Sequence, residues 1–402
     1  MRRFLSLTRK KFAMLITVLI LAKLLLAVYT PPTDPTVYYL TLDLRSPSPD
    51  DRNPWGVLGN SSIYFWNALP ITHNDTYILI TSRGGLLPAS LQLLVLIAKT
   101  PIIAADLMTG LILYLLGKNL WPSTNRGSLA AIMWFANPYA TFVNEMCGAV
   151  DIIPVFTIML AIYLLLRNRF LLTGLAIASG IALKLFPLVA LPAVLYAARA
   201  RSASAFTLLI CVALSLLGTA EYIVWSGFPV FLPYYAQDIT ELVLGVENYF
   251  GYANLYYFMG LATFSVVLTY LILYDYCKAR LRDPLSSTLV ALLTYAAFLV
   301  FQIEYMLWII PLLIIANLTT RRTIVLHFGI LGTAFSLGWL QSGGYAAQLD
   351  AITNGLLQSN WISAVTNSPA ANQVLLPLLQ SFLVAFMLMT MTILAFPERF
   401  ER

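Results

Sequence analysis

The residues able to do polar chemistry are few in this 402-residue chain: 24 Lys and Arg, 18 Asp and Glu, 2 His and 3 Cys. Their placement is uneven. Lys184 lies in "GIALKLFPLVALP", an otherwise uncharged apolar run. Placing a lysine at the centre of a bilayer helix costs about 2.5–3.5 kcal/mol, so it needs a reason. It can snorkel to an interface, pair with a buried carboxylate such as Asp106 or Asp151, or hold an anion. A carboxylate can take a proton from a hydroxyl, and five gather early, at Asp34, Asp43, Asp50, Asp51 and Asp75. Glu145 and Asp151 bracket one short turn, and Glu304 stands just before "YMLW". Arg83 sits in "SRGGLLP", where glycines let backbone approach a ligand or simply give a loose loop. Tyr249 opens a Tyr-rich run to Tyr257, which reads as an interfacial belt or as a platform for a sugar. Cys147, Cys211 and Cys277 form no CxxC, and His73 and His327 are far apart, so neither a disulfide framework nor a zinc or histidine metal site is expected.

The elements that position these groups must live in a bilayer. The chain is 59% hydrophobic and 10% charged, with mean hydropathy +0.79; a soluble domain carries roughly 25% charged residues. Apolar runs predict about twelve spans: 12–29, 99–117, 128–144, 149–166, 170–185, 186–198, 204–224, 258–277, 286–302, 305–318, 323–340 and 373–396. The first, preceded by "MRRFLSLTRKK", has no small-residue cleavage site and reads as a signal anchor. With the N-terminus cytoplasmic, the inner segments hold Arg2, Arg3, Arg9, Lys10, Lys11, Lys118, Arg126, Arg167, Arg169, Arg199, Arg201, Lys278, Arg280, Arg282, Arg321, Arg322, Arg399 and Arg402. These are 18 of the 24 basic residues, a consistent positive-inside pattern that also puts the C-terminus inside. The net charge of +6 therefore belongs to the inner membrane face and not to nucleic acid.

Of the acids, only Asp275, Asp283, Glu398 and Glu401 fall inside. Inner loops are short. Outer loops are long at residues 30–88, 225–257 and 341–373 of what reads as one integral membrane domain, residues 1–402. Long ordered loops tend to carry function, so chemistry is expected on the outer face. In the first loop, "SSIYFWNAL" and "LLPASLQLLVLIAK" have the pattern of short amphipathic interfacial helices. No internal repeat and no pair of broken inverted helices is visible, which argues against a secondary transporter.

The stretch "FANPYATFVNEMCGAVDIIPVFTIMLAIYLLLRNRFLLTGLAIASGIALKLFPLVALP" resembles the core of the type-C multi-spanning glycosyltransferases. Its marks are Asn137-Pro138 closing one span, Gly148 with Asp151 opening the next, the Arg167–Arg169 inner loop, and Lys184 with Pro187 in Lys-x-x-Pro. "LIAKTPIIAADLMTGLILYLL", with Lys99 and Asp106, is similar to the family's second span, "VENYFGYANLYYFMGL" to its aromatic loop and "FQIEYMLWIIPLL" to its late Gln/Tyr/Trp/Pro segment. Within the class the chain looks most like the mannosyltransferases of glycosylphosphatidylinositol assembly and the family 87-like enzymes that use polyprenyl-phosphate sugars.

That resemblance implies an all-α polytopic bundle of about twelve transmembrane helices, with the first outer loop folded over a catalytic pocket. It also implies a reaction: a hexose, most simply mannose, passes from a polyprenyl or dolichyl phosphate to a lipid- or glycan-linked acceptor at the outer face, with inversion. The relatives carry Thr followed by Asp-x-Asp. Here Thr33-Asp34 matches, but Thr36 replaces the second Asp; a lone carboxylate is a poor cation site, so no metal and no other cofactor is expected. Asp34 is the favoured general base and Asp43 the second candidate, although Asp34 before Pro35 also suits a turn or cap. Lys184, and secondarily Arg83, would bind the donor phosphate and offset charge growing on the leaving group. Glu145, Asp151, Glu304 and Tyr249 are candidates for the pocket or the acceptor side, with a structural role the alternative for each. The expected partners are the lipid-linked donor, the acceptor and membrane lipids, with room for an accessory membrane subunit as in some relatives. The compact loops favour a prokaryotic, archaeal-type cell membrane over the endoplasmic reticulum. The competing reading is a non-enzymatic flippase or transporter of lipid-linked sugar. An oligosaccharyltransferase is disfavoured, because no Trp-Trp-Asp motif is present.

Overall fold

The computed structural model describes residues 8–30, 89–183, 186–198, 283–298, 304–320, 323–341 and 375–395. These residues are helical, without strands. The elements are α1 (Arg9–Tyr29), α2 (Ala89–Leu120), α3 (Arg126–Phe135), α4 (Pro138–Thr141), a π-helical turn (Phe142–Met146), α5 (Ile152–Leu166), α6 (Phe170–Leu183), a 3-10 turn (Phe186–Ala190), α7 (Leu191–Ala198), α8 (Pro284–Phe298), α9 (Tyr305–Thr319), α10 (Thr323–Gln341) and α11 (Leu376–Ala395). The expected spans at 204–224 and 258–277 lie outside the described residues.

Their sequences explain these helices. Long runs rich in Leu, Ile and Ala favour helix, and polar or basic residues stand near several of the ends. Thr8 caps α1 through its side chain, which accepts from the Lys11 amide. α5 and α6 pack as a hairpin, α2 lies against both α3 and α5, and α8, α10 and α11 close the other side with α9. α9 is buried almost along its full length, from Met306 to Asn317, and forms the centre of the core. α2 and α3 cross where Gly117 meets Gly127; a Cβ on Gly117 would stand 2.5 Å from the Gly127 Cα, so only glycine permits that approach.

The outward faces are apolar. On α1, Met14, Val18, Leu21 and Leu25 form an exposed stripe with helical spacing. Leu171, Leu172 and Leu175 do the same on α6, as do Leu378, Phe382 and Met389 on α11. Exposed apolar surface on this scale needs an apolar neighbour. Two helices, Arg9–Tyr29 and Lys99–Leu120, are long and apolar enough to cross a membrane; seven other described helices are apolar but shorter.

Two expectations are corrected. "LLPASLQLLVLIAK" is not a separate interfacial helix: from Ala89 it is continuous with the following span, giving one helix of 32 residues, about 48 Å long. Pro101 lies inside it. Proline removes one amide donor from a helix interior; in an apolar helix a neighbouring Ser or Thr side chain helps satisfy the backbone, and Thr100 donates its hydroxyl back to the Leu96 carbonyl. The span at 128–144 is also not one helix. α3 stops at Phe135, Asn137 caps a new turn by accepting from the Tyr139 and Ala140 amides at 2.9 and 3.1 Å, and the chain then widens into the π-turn. Asn followed by Pro at the first helical position is a helix start, which explains the break.

Candidate functional site

The π-turn builds the site. Its wider pitch is closed by the Cys147 amide donating to the Phe142 carbonyl at 2.9 Å and the Ala149 amide to Val143 at 3.0 Å. Gly148 ends it at φ 75°, a left-handed conformation that glycine adopts without strain. Such turns recur at functional sites, because they displace side chains from helical register. Here they aim Asn144 and Glu145 into the bundle, where both are buried.

There they meet α1 and α2. Lys23, in the middle of the α1 apolar run, donates to Asp106 Oδ2 at 2.7 Å and to Glu145 Oε1 at 3.1 Å; Glu145 Oε2 is also 3.1 Å from its ammonium. Asn144 Nδ2 donates to Asp106 Oδ1 at 2.8 Å, and the Trp134 indole N–H to the Asp106 carbonyl at 3.1 Å. The Trp134 ring lies 5.9 Å from the Lys23 ammonium. One cation thus holds two carboxylates, each member buried. Desolvating such charges is costly, and their mutual attraction and hydrogen bonds offset part of that cost.

Lys99 makes the second knot. It is 0% exposed. Its ammonium donates to the carbonyls of Ala27 at 3.2 Å, Thr30 at 2.8 Å and Met146 at 3.1 Å, and to that of Glu145. These are the unsatisfied carbonyls at the C-terminal ends of α1 and the π-turn, the places where a cation is favoured by the helix dipole. Lys99 is therefore a tie between two helix ends, fully enclosed by backbone oxygens. It also holds Thr30, the residue from which the 30–88 segment departs, and the Thr30 hydroxyl reaches toward the Glu145 carbonyl at 3.4 Å.

A third group lies beyond Gly148, at the same end of the bundle. Asp151 precedes α5, is buried, and accepts from the Trp308 indole N–H at 2.9 Å. Trp308 is in turn enclosed by rings: Phe186 stacks on it at 4.1 Å and 10°, and Tyr305 and Tyr295 lie at 4.2 and 5.8 Å. Glu304 is half-buried at the head of α9, next to Tyr305. Phe186 begins the 3-10 turn, in which Pro187 is also buried. Gly180 admits it: a Cβ there would stand 2.2 Å from the Thr157 hydroxyl and 3.3 Å from Pro187.

The structure thus places Asp151 against Trp308, Glu304 at the start of the helix that carries that tryptophan, and Glu145 on a separate ion cluster. Asp34, Asp43, Arg83, Lys184 and Tyr249 lie outside the described residues. Asp106, one of two carboxylates considered as partners for Lys184, has its oxygens engaged by Lys23 and Asn144. Lys23 is the residue that sequence reasoning passed over. Its signal was the one used for Lys184, a single charge inside an apolar run, "LILAKLLLAV".

Among the described residues, apolar helices pack around a buried ionic network at one end, in a bundle without strands. The chain belongs to glycosyltransferase family 87, a model of which matches residues 76–301, more than half of the sequence. No curated protein matches it. The matched stretch includes Arg83, Lys99, Asp106, Glu145, Asp151, Lys184 and Tyr249; Lys23, Asp34, Asp43 and Glu304 fall outside it.

Proposed function

We propose that this glycosyltransferase is a polytopic membrane enzyme that moves a hexose, most simply mannose, from a polyprenyl or dolichyl phosphate to a lipid- or glycan-linked acceptor hydroxyl, with inversion. The observation that carries this reading is the location of the buried charges. They gather where Thr30 launches the acid-rich 30–88 segment. The family supplies glycosyl transfer, and an apolar bundle suits a donor whose hydrophobic tail stays in the bilayer.

In this mechanism Asp34 takes the proton of the acceptor hydroxyl as it attacks the anomeric carbon, and Asp43 is the alternative base. The bond from that carbon to the donor phosphate oxygen breaks on the opposite face, which gives inversion. The phosphate leaves with the electron pair, and Lys184, assisted by Arg83, offsets its charge. Asp151, Glu304 and Tyr249 contribute to the acceptor side. Lys23, Asp106, Glu145 and Lys99 carry no chemical step; they hold the start of the outer segment against the bundle. In this reading no cofactor is required, and a metal is disfavoured because Thr36 stands where a second carboxylate would help hold one. The setting is a prokaryotic cell membrane with both termini inside.

The test uses the purified full chain with radiolabelled polyprenyl-phosphate mannose and a lipid extract as acceptor. Label appearing in a product that has lost the polyprenyl phosphate supports transfer. Label that only crosses the bilayer, still on its polyprenyl phosphate, overturns it in favour of a flippase.

A further inference from the structure

At the end of the bundle opposite the ion cluster, α2 finishes, α5 turns into α6, and a groove of about 650 Å³ opens between them. Asn119, Tyr163, Arg167, Asn168 and Arg169 supply its polar wall, and Leu172 continues it onto α6. The turn explains why both arginines reach it. Asn168 is left-handed at φ 58°, a conformation asparagine tolerates. Its amide donates to the Leu165 carbonyl, and that of Arg169 to the Leu164 carbonyl, each at 2.9 Å. This is a closed helix C-terminus that consumes the loose carbonyls and leaves Arg167 and Arg169 exposed on either side of Asn168. Arg167 lies 5.8 Å from the Tyr163 ring. Among the described residues neither arginine has an ion pair.

We infer that this groove binds the phosphate headgroup of an anionic phospholipid from the leaflet at that end. Two guanidinium groups flanking an amide and a phenol suit a phosphate monoanion or diester. What selects a lipid over a free anion is the surface that follows. Leu171, Leu172 and Leu175 are 57, 49 and 52% exposed and run from the groove along α6, so a headgroup seated between the arginines has its acyl chains against leucines. Basic pockets between helices at a cytoplasmic membrane face are the expected receptors for such headgroups. The site rests on the chain spanning a membrane and not on sugar transfer.

The experiment incorporates the purified full chain into nanodiscs of phosphatidylcholine with and without one quarter phosphatidylglycerol, and counts co-purifying lipid by native mass spectrometry. Wild type should retain phosphatidylglycerol selectively. Arg167→Gln with Arg169→Gln should lose roughly 25-fold in that preference, two cations each contributing a factor of about five; Arg167→Lys with Arg169→Lys should keep most of it. Equal retention of both lipids, or an unchanged preference in the Gln variant, overturns the site. Inorganic phosphate matching phosphatidylglycerol in competition makes it a free-anion site and overturns the lipid assignment, as does polyprenyl phosphate displacing phosphatidylglycerol. Sugar transfer is measured on the same samples. In wild type, no lipid preference with transfer intact sinks this inference alone, and no transfer with the preference intact sinks the proposed function alone.

Discussion

At the residue scale, the two lysines buried among the described residues have different duties, and their substitutions separate them. Lys23 is the shared ion-pair partner of Asp106 and Glu145. Lys23→Gln leaves two buried carboxylates without a cation, and breaking a buried pair from one side costs about 3–5 kcal/mol. The expected result is a marked fall in the thermal unfolding temperature of the detergent-purified protein. Adding Asp106→Asn and Glu145→Gln to it removes the stranded charges, and should recover most of the loss. No recovery would mean that Lys23 acts through packing. Asp34→Asn should instead leave stability unchanged and lower sugar transfer by ~10²–10⁴-fold, the usual consequence of losing a general base. Near-normal turnover there, with Asp43→Asn inactive, would move the base to Asp43. Lys184→Gln should weaken donor binding or slow transfer at least tenfold, about 1.4 kcal/mol, with Lys184→Arg intermediate because it keeps the charge but not the compact ammonium. A merely snorkelling lysine would tolerate the glutamine. Lys99 is not open to a phosphate, since backbone carbonyls of Ala27, Thr30, Glu145 and Met146 already surround it.

At the element scale, much of the fold was legible because apolar runs with basic ends are unambiguous helices. The expected 305–318 and 323–340 are Tyr305–Thr319 and Thr323–Gln341, and 149–166 differs from Ile152–Leu166 only by the glycine turn before it. What stayed hidden was long-range or local geometry. Residues 89–98 have no helix stop before Lys99, yet their amphipathic look masked their continuity with α2. The π-turn leaves no pattern in residues 142–146, since its hydrogen bonds differ from an α-helix by one residue only. The Lys23 cluster joins positions 83 and 122 residues apart in sequence, which no local pattern encodes. The Trp308 contact with Asp151 was hidden for the same reason, although the motifs carrying both were noticed. Close helix approach is testable at the glycine crossing. Gly117→Val adds a Cβ 2.5 Å from the Gly127 Cα and must push α3 off α2. It should reduce the yield of folded protein in a size-exclusion assay, whereas Gly332→Ala, with nothing within 4 Å of its Cβ, should not.

At the scale of the whole molecule, the helix directions and the charges make one joint statement about sidedness. The Phe12 and Tyr114 rings stack at 5.8 Å, so the start of α1 lies beside the end of α2. The Gly117–Gly127 crossing brings the start of α3 to the same place, and the α5–α6 turn joins them through the groove at Asn119. Arg9, Lys10, Lys11, Lys118, Arg126, Arg167 and Arg169 thus share one end. Glu145, Asp151 and the departure of the 30–88 segment share the other. Arginine and lysine are retained on the cytoplasmic side during insertion, while acids contribute little to orientation. The basic end should therefore be cytoplasmic and residues 30–88 external. Reporter fusions after Gly59 and after Asp283 in cells should read opposite sides, with an alkaline phosphatase active at the first position and a fluorescent protein at the second. The same side for both would break the span map between them. It would also remove the catalytic assignment of Asp34, because a base on the wrong face cannot meet a donor headgroup held at Lys184.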